Sequence, residues 1–198
     1  VAAYSKDGIF LQELVSGGDL VVGHAEGQVK EFGLVSVDQV CFSHPDPLDP
    51  HEPFIGITSS ATKILDDLGT DNGPIKVVVR GGKLTISDGG DNDGIGVSAG
   101  GASDILLSAS SNLVIDAQVH SGGGHVTLQA GNDIFINSAV STLASGSIYV
   151  AGHDVQVKAA VTNSDGDQLF KATHDLKVDA VLSSTNGSIG LSANGNIA

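Results

Sequence analysis

The stretch Gly124-His125-Val126-Thr127-Leu128-Gln129-Ala130-Gly131-Asn132-Asp133-Ile134-Phe135-Ile136 decides the fold. Its apolar residues alternate: Val126, Leu128 and Ala130, then, after a break, Ile134 and Ile136. A period of two is the signature of a strand with one buried face. The break at Gly131-Asn132 is turn chemistry, because Gly and Asn both tolerate a left-handed backbone. Phe135 lies between two inward residues and is expected to face outward, either as part of a contact surface or under a neighbouring loop.

Working outward, the same unit recurs. Asn112-Leu113, Asp133-Ile134, Asp154-Val155, Asp175-Leu176 and Asn196-Ile197 follow one another at steps of 21 residues. Ala109, Ala130, Ala151, Ala172 and Ala193 form a second column at the same step, and Val119, Val140 and Val161 a third. Each unit therefore holds two short strands, a third around the valine column, and tight corners. A unit of about 20 residues cannot bury its own apolar face, and stacking on its neighbours solves this. Each strand then pairs in parallel with its counterpart one coil away, at a spacing of about 4.8 Å. Helical crossovers, which a doubly wound α/β sheet requires, do not fit gaps this short. The expected fold is all-β: a parallel β-helix (solenoid) of about 21 residues per coil, right-handed by the usual crossover rule.

Leu84 and Ile86 precede Ile105 and Leu107 by 21 residues, which places the start of the stack near Ile75. Residues 75–198 are thus expected to be β-helix repeats, and residues 1–74 an irregular β-rich region with a Pro-rich loop. In that first region Gly8-Ile9-Phe10-Leu11, Asp19-Leu20-Val21-Val22 and Leu34 to Phe42 are strand-like, and Asp19-Leu20 echoes the Asp-Ile pair of the repeat. They read as degenerate coils or as a separate small β unit. Pro45, Pro47, Pro50 and Pro53 predict an exposed loop over residues 43–56. Residues 58–68 read as a short helix with Ser59 or Ser60 near its cap. Two places break the repeat: the coil starting at Gly146-Ser147-Ile148, where the facing of Tyr149 stays open, and Gln168-Leu169-Phe170. Residues 88–101 look like an irregular corner or inserted loop.

Composition narrows the class. Aromatics are 4% against 40% hydrophobic residues, with no Trp or Met, so the core is aliphatic and suited to repeated strands. A net charge of −14 repels nucleic acid phosphate and anionic lipid, so neither is an expected partner. Cys41 is the only cysteine, which excludes an internal disulfide, and no apolar run is long enough to insert in a membrane as a helix. The chain starts at Val1 and its last residues begin a repeat that stops midway, so both ends are expected to continue into something larger.

The strings Gly146-Ser147-Ile148-Tyr149-Val150-Ala151-Gly152-His153-Asp154-Val155 and Gly124-His125-Val126-Thr127-Leu128-Gln129-Ala130-Gly131-Asn132-Asp133-Ile134 resemble the repeats of filamentous-haemagglutinin-like large exoproteins and other giant repetitive bacterial surface adhesins. The resemblance covers roughly residues 84–198. It implies a right-handed β-helix on a very long secreted or cell-surface protein used for adhesion, biofilm or cell–cell contact. It carries no catalytic residues.

Three constellations are candidates for chemistry. Asp88, Asp91 and Asp93 crowd a Gly-rich loop, and closely spaced carboxylates on tight turns are what calcium needs. The loop partly resembles a calcium roll but occurs once, and the competing reading is a solvated turn. The corner column Asp133, Asp154 and Asp175 is flanked by Asn132, His153 and His174. Stacking brings these near one another, and imidazole with carboxylate suits zinc or copper. The plainer reading is that each Asp caps its own turn, as Asn does at positions 112 and 196. Last, Cys41, His44, Asp46, Asp49, His51 and Glu52 are metal-capable types within twelve positions. No second Cys pair completes a zinc signature; a Cys-His nucleophilic pair is a further alternative, and the leading reading is a plain surface loop.

The leading functional expectation is a structural or adhesive module, not an enzyme. Its partners are neighbouring coils of a longer chain, a second copy stacked end to end, or a cell-surface glycan or protein. A β-helix lyase or glycosidase is the alternative. It wants a groove of carboxylates, or of Arg and Lys to neutralise uronates, and Arg80 is the only arginine. An ice-binding face wants a Thr ladder, and Thr127, Thr142, Thr162 and Thr173 are scattered. Uncapped coils expose strand edges, so the ends are expected to associate.

Overall fold

The computed structural model describes residues 1–23, 67–89 and 92–198, together with the backbone of four short strands between residues 34 and 64. The chain is an all-β parallel β-helix. Three parallel sheets form its walls, and strand alternation supplies the core between them. The first sheet stacks Ala3–Ser5, Leu68–Thr70, Ile95–Ala99, Gln118–Ser121, Val140–Thr142, Val161–Asn163 and Leu182–Ser184. The second stacks Ile9–Glu13, Ile75–Val79, Ile105–Ala109, Val126–Ala130, Ile148–Gly152, Gln168–Ala172 and Ile189–Ala193. The third stacks Leu20–Val22, Leu84–Ile86, Leu113–Ile115, Ile134–Ile136, Val155–Val157 and Leu176–Val178, and Ile197 adds a bridge to Leu176. No helix occurs among the described residues.

The ladders read from the sequence are real contacts. Leu113, Ile134, Val155 and Leu176 pair in register through the third sheet, each essentially fully buried. Val119, Val140 and Val161 do the same in the first.

Four expectations change. First, the stack begins before Ile75: Ile9 pairs with Ile75, Leu20 with Leu84 and Ala3 with Leu68, so of the two readings of the amino-terminal strands the coil holds for residues 3–22. The period hides this coil because residues 23–67 are inserted before the next one. Leu84 pairs not with Ile105 but with Leu113, 29 residues on, because the corner over residues 87–94 lengthens that coil. The spacing of 21 from Leu84 to Ile105 joins two different sheets.

Second, Ala151 is out of its column. It pairs with Gln129, and Gly152 takes the inward place between Ala130 and Ala172. The corner from Thr142 to Ile148 carries an extra residue, accommodated by Ala144 at φ 48, and the next corner loses one. The slip therefore cancels before Val155. Tyr149, whose facing was open, points outward beside Thr127 and Leu169.

Third, Ala61–Ile64 is a strand antiparallel to Leu34–Val37, not part of a helix. Fourth, the proline segment contains strand: Val40–Pro45 pairs antiparallel with Pro53–Gly56. A two-stranded pair consists only of edges, where a missing N–H is tolerated. Residues 46–52 lie outside the described residues.

The corner between the first and second sheets is built from a small residue and a buried polar one. Ser121, Thr142, Asn163 and Ser184 donate to the backbone carbonyls of Ser103 (2.7 Å), Gly124 (2.7 Å), Gly146 (3.1 Å) and Gly166 (2.9 Å), each one coil back. Side chains at Gly124, Gly146, Gly166 or Gly187 would run into the backbone of the preceding coil, so this close stacking requires glycine there. Gln168 replaces an aliphatic residue in an inward column and is 1% exposed. Its amide Nε2 donates to Val161 O (3.1 Å), Asn163 Oδ1 (2.9 Å) and Ser183 O (2.8 Å), while its Oε1 is buried without a hydrogen-bond partner.

Candidate metal centre

The corner between the second and third sheets repeats an Asn/His-Asp pair because each coil must turn there within two or three residues. The acidic column does not cap its own turns. Each side chain accepts from the backbone of the following coil: Asp133 N–H donates to Asn112 Oδ1 (3.3 Å), Asp154 N–H to Asp133 Oδ1 (3.2 Å), Asp175 N–H to Asp154 Oδ1 (2.9 Å) and Asn196 N–H to Asp175 Oδ1 (2.7 Å). The first coil joins in, since Lys83 N–H donates to Asp19 Oδ1 (2.7 Å). The column is a cross-coil ladder. Corner N–H groups point along the stack, as do the strand edges, so the nearest acceptor lies one coil away.

Beside the ladder the two histidines stack, with ring centroids 5.1 Å apart and planes 15° from parallel. His174 Nδ1 lies 2.7 Å from Asp154 Oδ1, and His153 Nδ1 lies 3.6 Å from both Asp133 Oδ1 and Asp154 Oδ1. Both imidazoles are about half exposed. The N–H of Asp175 and the bond from His174 hold the Asp154 carboxyl below the usual carboxylate range. The Asp154 bond, with the charge of Asp175 behind it, raises His174 above the usual imidazole value. A shallow concavity of about 240 Å³ adjoins the cluster, lined by Tyr149, Ala151, Lys171 and Thr173 with His153 at its edge.

The acidic loop is different. Asp88 Oδ1 accepts from Gly94 N–H (3.2 Å) and Asp93 Oδ1 from Ile95 N–H (2.7 Å), so both carboxylates shape their own turn. Asp91 lies outside the described residues, as do Asp46, Asp49, His51 and Glu52 of the Cys41 segment. Cys41 and His44 fall on the Val40–Pro45 strand. Among the described residues, the one group of three metal-capable side chains with converging donor atoms is His153, Asp154 and His174. Phe135 lies on the outer face of the third sheet between Val114 and Gln156, half-buried.

Two polar ladders escaped the sequence reading. The column Ser121, Thr142, Asn163, Ser184 steps by 21 and was legible, but its members differ in type. The second runs Asp104, His125, Ser147, Asp167, Ser188: each side chain accepts the next residue's N–H at 2.8 to 3.1 Å. Its steps vary because the extra corner residue interrupts it.

Fold and corner chemistry together define the class, a parallel β-helix solenoid with cross-coil polar ladders. No protein-family model, no curated protein and no solved structure matches the chain.

Proposed function

We propose that the chain is a structural and adhesive β-helix segment of a large secreted or cell-surface bacterial protein, mediating surface attachment or cell–cell contact. The observation that carries this reading is the regular stack of coils in three parallel sheets. The second sheet runs unbroken through seven strands. At the carboxyl end, however, Ile189 and Leu191, which occupy inward columns, are still 41% and 40% exposed. The uncovered columns and strand edges of the last coil offer a second copy of the chain a surface to stack on. The function is then the rod itself, presenting outward side chains at strand spacing to a glycan or protein on another surface.

Beads coated with the chain should be retained on cell layers under flow, above beads coated with a β-sheet protein of equal charge. Equal retention would refute the adhesive part. Sedimentation at rising concentration should show end-to-end association that Leu191→Lys abolishes. A chain that stays monomeric throughout would refute the end-to-end association.

A further inference from the structure

We propose that His153, Asp154 and His174 form a site for a divalent transition metal of the zinc or copper class, stapling two successive coils. This goes beyond the adhesive reading and does not depend on it.

The argument starts from the 21-residue step. It places a His-Asp pair at the same corner of two adjacent coils, so the two imidazoles stand one above the other, 5.1 Å apart. Ring orientation is not free. Both Nδ1 atoms face the same oxygen, Asp154 Oδ1, at 2.7 Å from His174 and 3.6 Å from His153. One donor atom from each residue lies within 4.8 Å of the others. Metal–nitrogen and metal–oxygen bonds of about 2.0–2.2 Å would close that triangle with small side-chain rotations. The backbone need not move, because Asp154 is already fixed by the N–H of Asp175 at 2.9 Å, an outer partner of the kind that orients a ligating carboxylate.

Donor chemistry selects the ion. Two imidazoles and one carboxylate suit zinc and copper, whereas calcium wants six or more oxygens. The electrostatics favour a dication too: Asp133, Asp154 and Asp175 stack in one column, with Lys171 the cation lining the adjoining concavity. Binding through Nδ1 displaces the proton that His174 shares with Asp154. In a neutral ring that proton moves to Nε2, and in a protonated ring one proton leaves to solvent as the metal–nitrogen bond forms, so acid weakens binding. Three protein ligands leave a coordination position open to water at the rim of the concavity.

Zinc chloride titrated calorimetrically into the full chain, dialysed first against chelator, tests this. The expected result is one zinc per chain at neutral pH, with affinity lost at least tenfold in His153→Ala, in His174→Ala and in the bulk-preserving His174→Gln. His125→Ala, at the corner between the first and second sheets, should leave it unchanged, and calcium chloride should give no heat of binding. Cobalt substituted at the site should show absorption bands of low-symmetry coordination that His174→Gln removes. Circular dichroism confirms that each variant keeps its sheet content. No saturable zinc binding, or binding undiminished in the His153 and His174 variants, overturns the proposal.

Discussion

Leu128 and Leu191 occupy the same inward column of the second sheet, linked through Val150 and Phe170. Leu128 is covered by a coil on each side and is 0% exposed; Leu191, in the last coil, is 40% exposed. Leu→Ala at each position is therefore one chemical change in one ladder, differing in whether a neighbouring coil covers it. At Leu128 the lost transfer energy of about 2–2.5 kcal/mol, at about 0.8 kcal/mol per methylene, adds to a cavity left in a packed core. The expected cost is about 3–4 kcal/mol. At Leu191 roughly six-tenths of the transfer energy is at stake and water fills the space, giving about 1–1.5 kcal/mol. Urea unfolding followed by circular dichroism, at a concentration low enough to keep the chain monomeric, reads the difference of about 2 kcal/mol. Equal losses at the two sites would refute the reasoning, because they would mean that the carboxyl end is covered and not an open stack.

Other outcomes follow from the corners. Gly166→Val should lower stability by about 1–3 kcal/mol, since its side chain meets the backbone of Gly146, whereas Gly123→Ala, whose nearest neighbour would be 3.6 Å away, should change it by less than about 0.5 kcal/mol; thermal melts of the two decide it. Thr142→Val removes the donor to Gly124 O and leaves a buried carbonyl short of a partner, at a cost of about 1–2 kcal/mol in the same melts. In metal-free protein, the raised His174 contributes stability that is complete below the ordinary imidazole value of about 6.5 and is lost as pH rises through its folded value. The lowered Asp154 contributes stability present above the ordinary carboxylate value of about 3.9, lost as pH falls through its folded value. Melting temperature against pH should thus peak between these limits, and His174→Ala should flatten the fall on the alkaline side. Millimolar calcium should leave the melting temperature unchanged, because Asp88 and Asp93 serve their own loop's N–H groups; a rise that Asp88→Asn abolishes would make the loop a calcium site.

The sequence by itself determined the solenoid, because burial of a repeated strand is written as alternation and a repeated coil as a fixed step. Leu113, Ile134, Val155 and Leu176 needed nothing more than counting. It also determined which residues crowd the metal-capable corner, since the same step brings His153 over His174. Three things were decided only in the tertiary structure. The first coil was, because an insertion of any length can separate two coils that pair in register, as residues 23–67 do. The true place of Ala151 was, because a residue gained at one corner and lost at the next leaves the overall period intact while turning one strand position outward. The direction of the Asp column was as well: an Asp at a turn has acceptors for its own N–H groups or for a neighbour's, and which it meets depends on where the next coil stacks, a distance that no local pattern records.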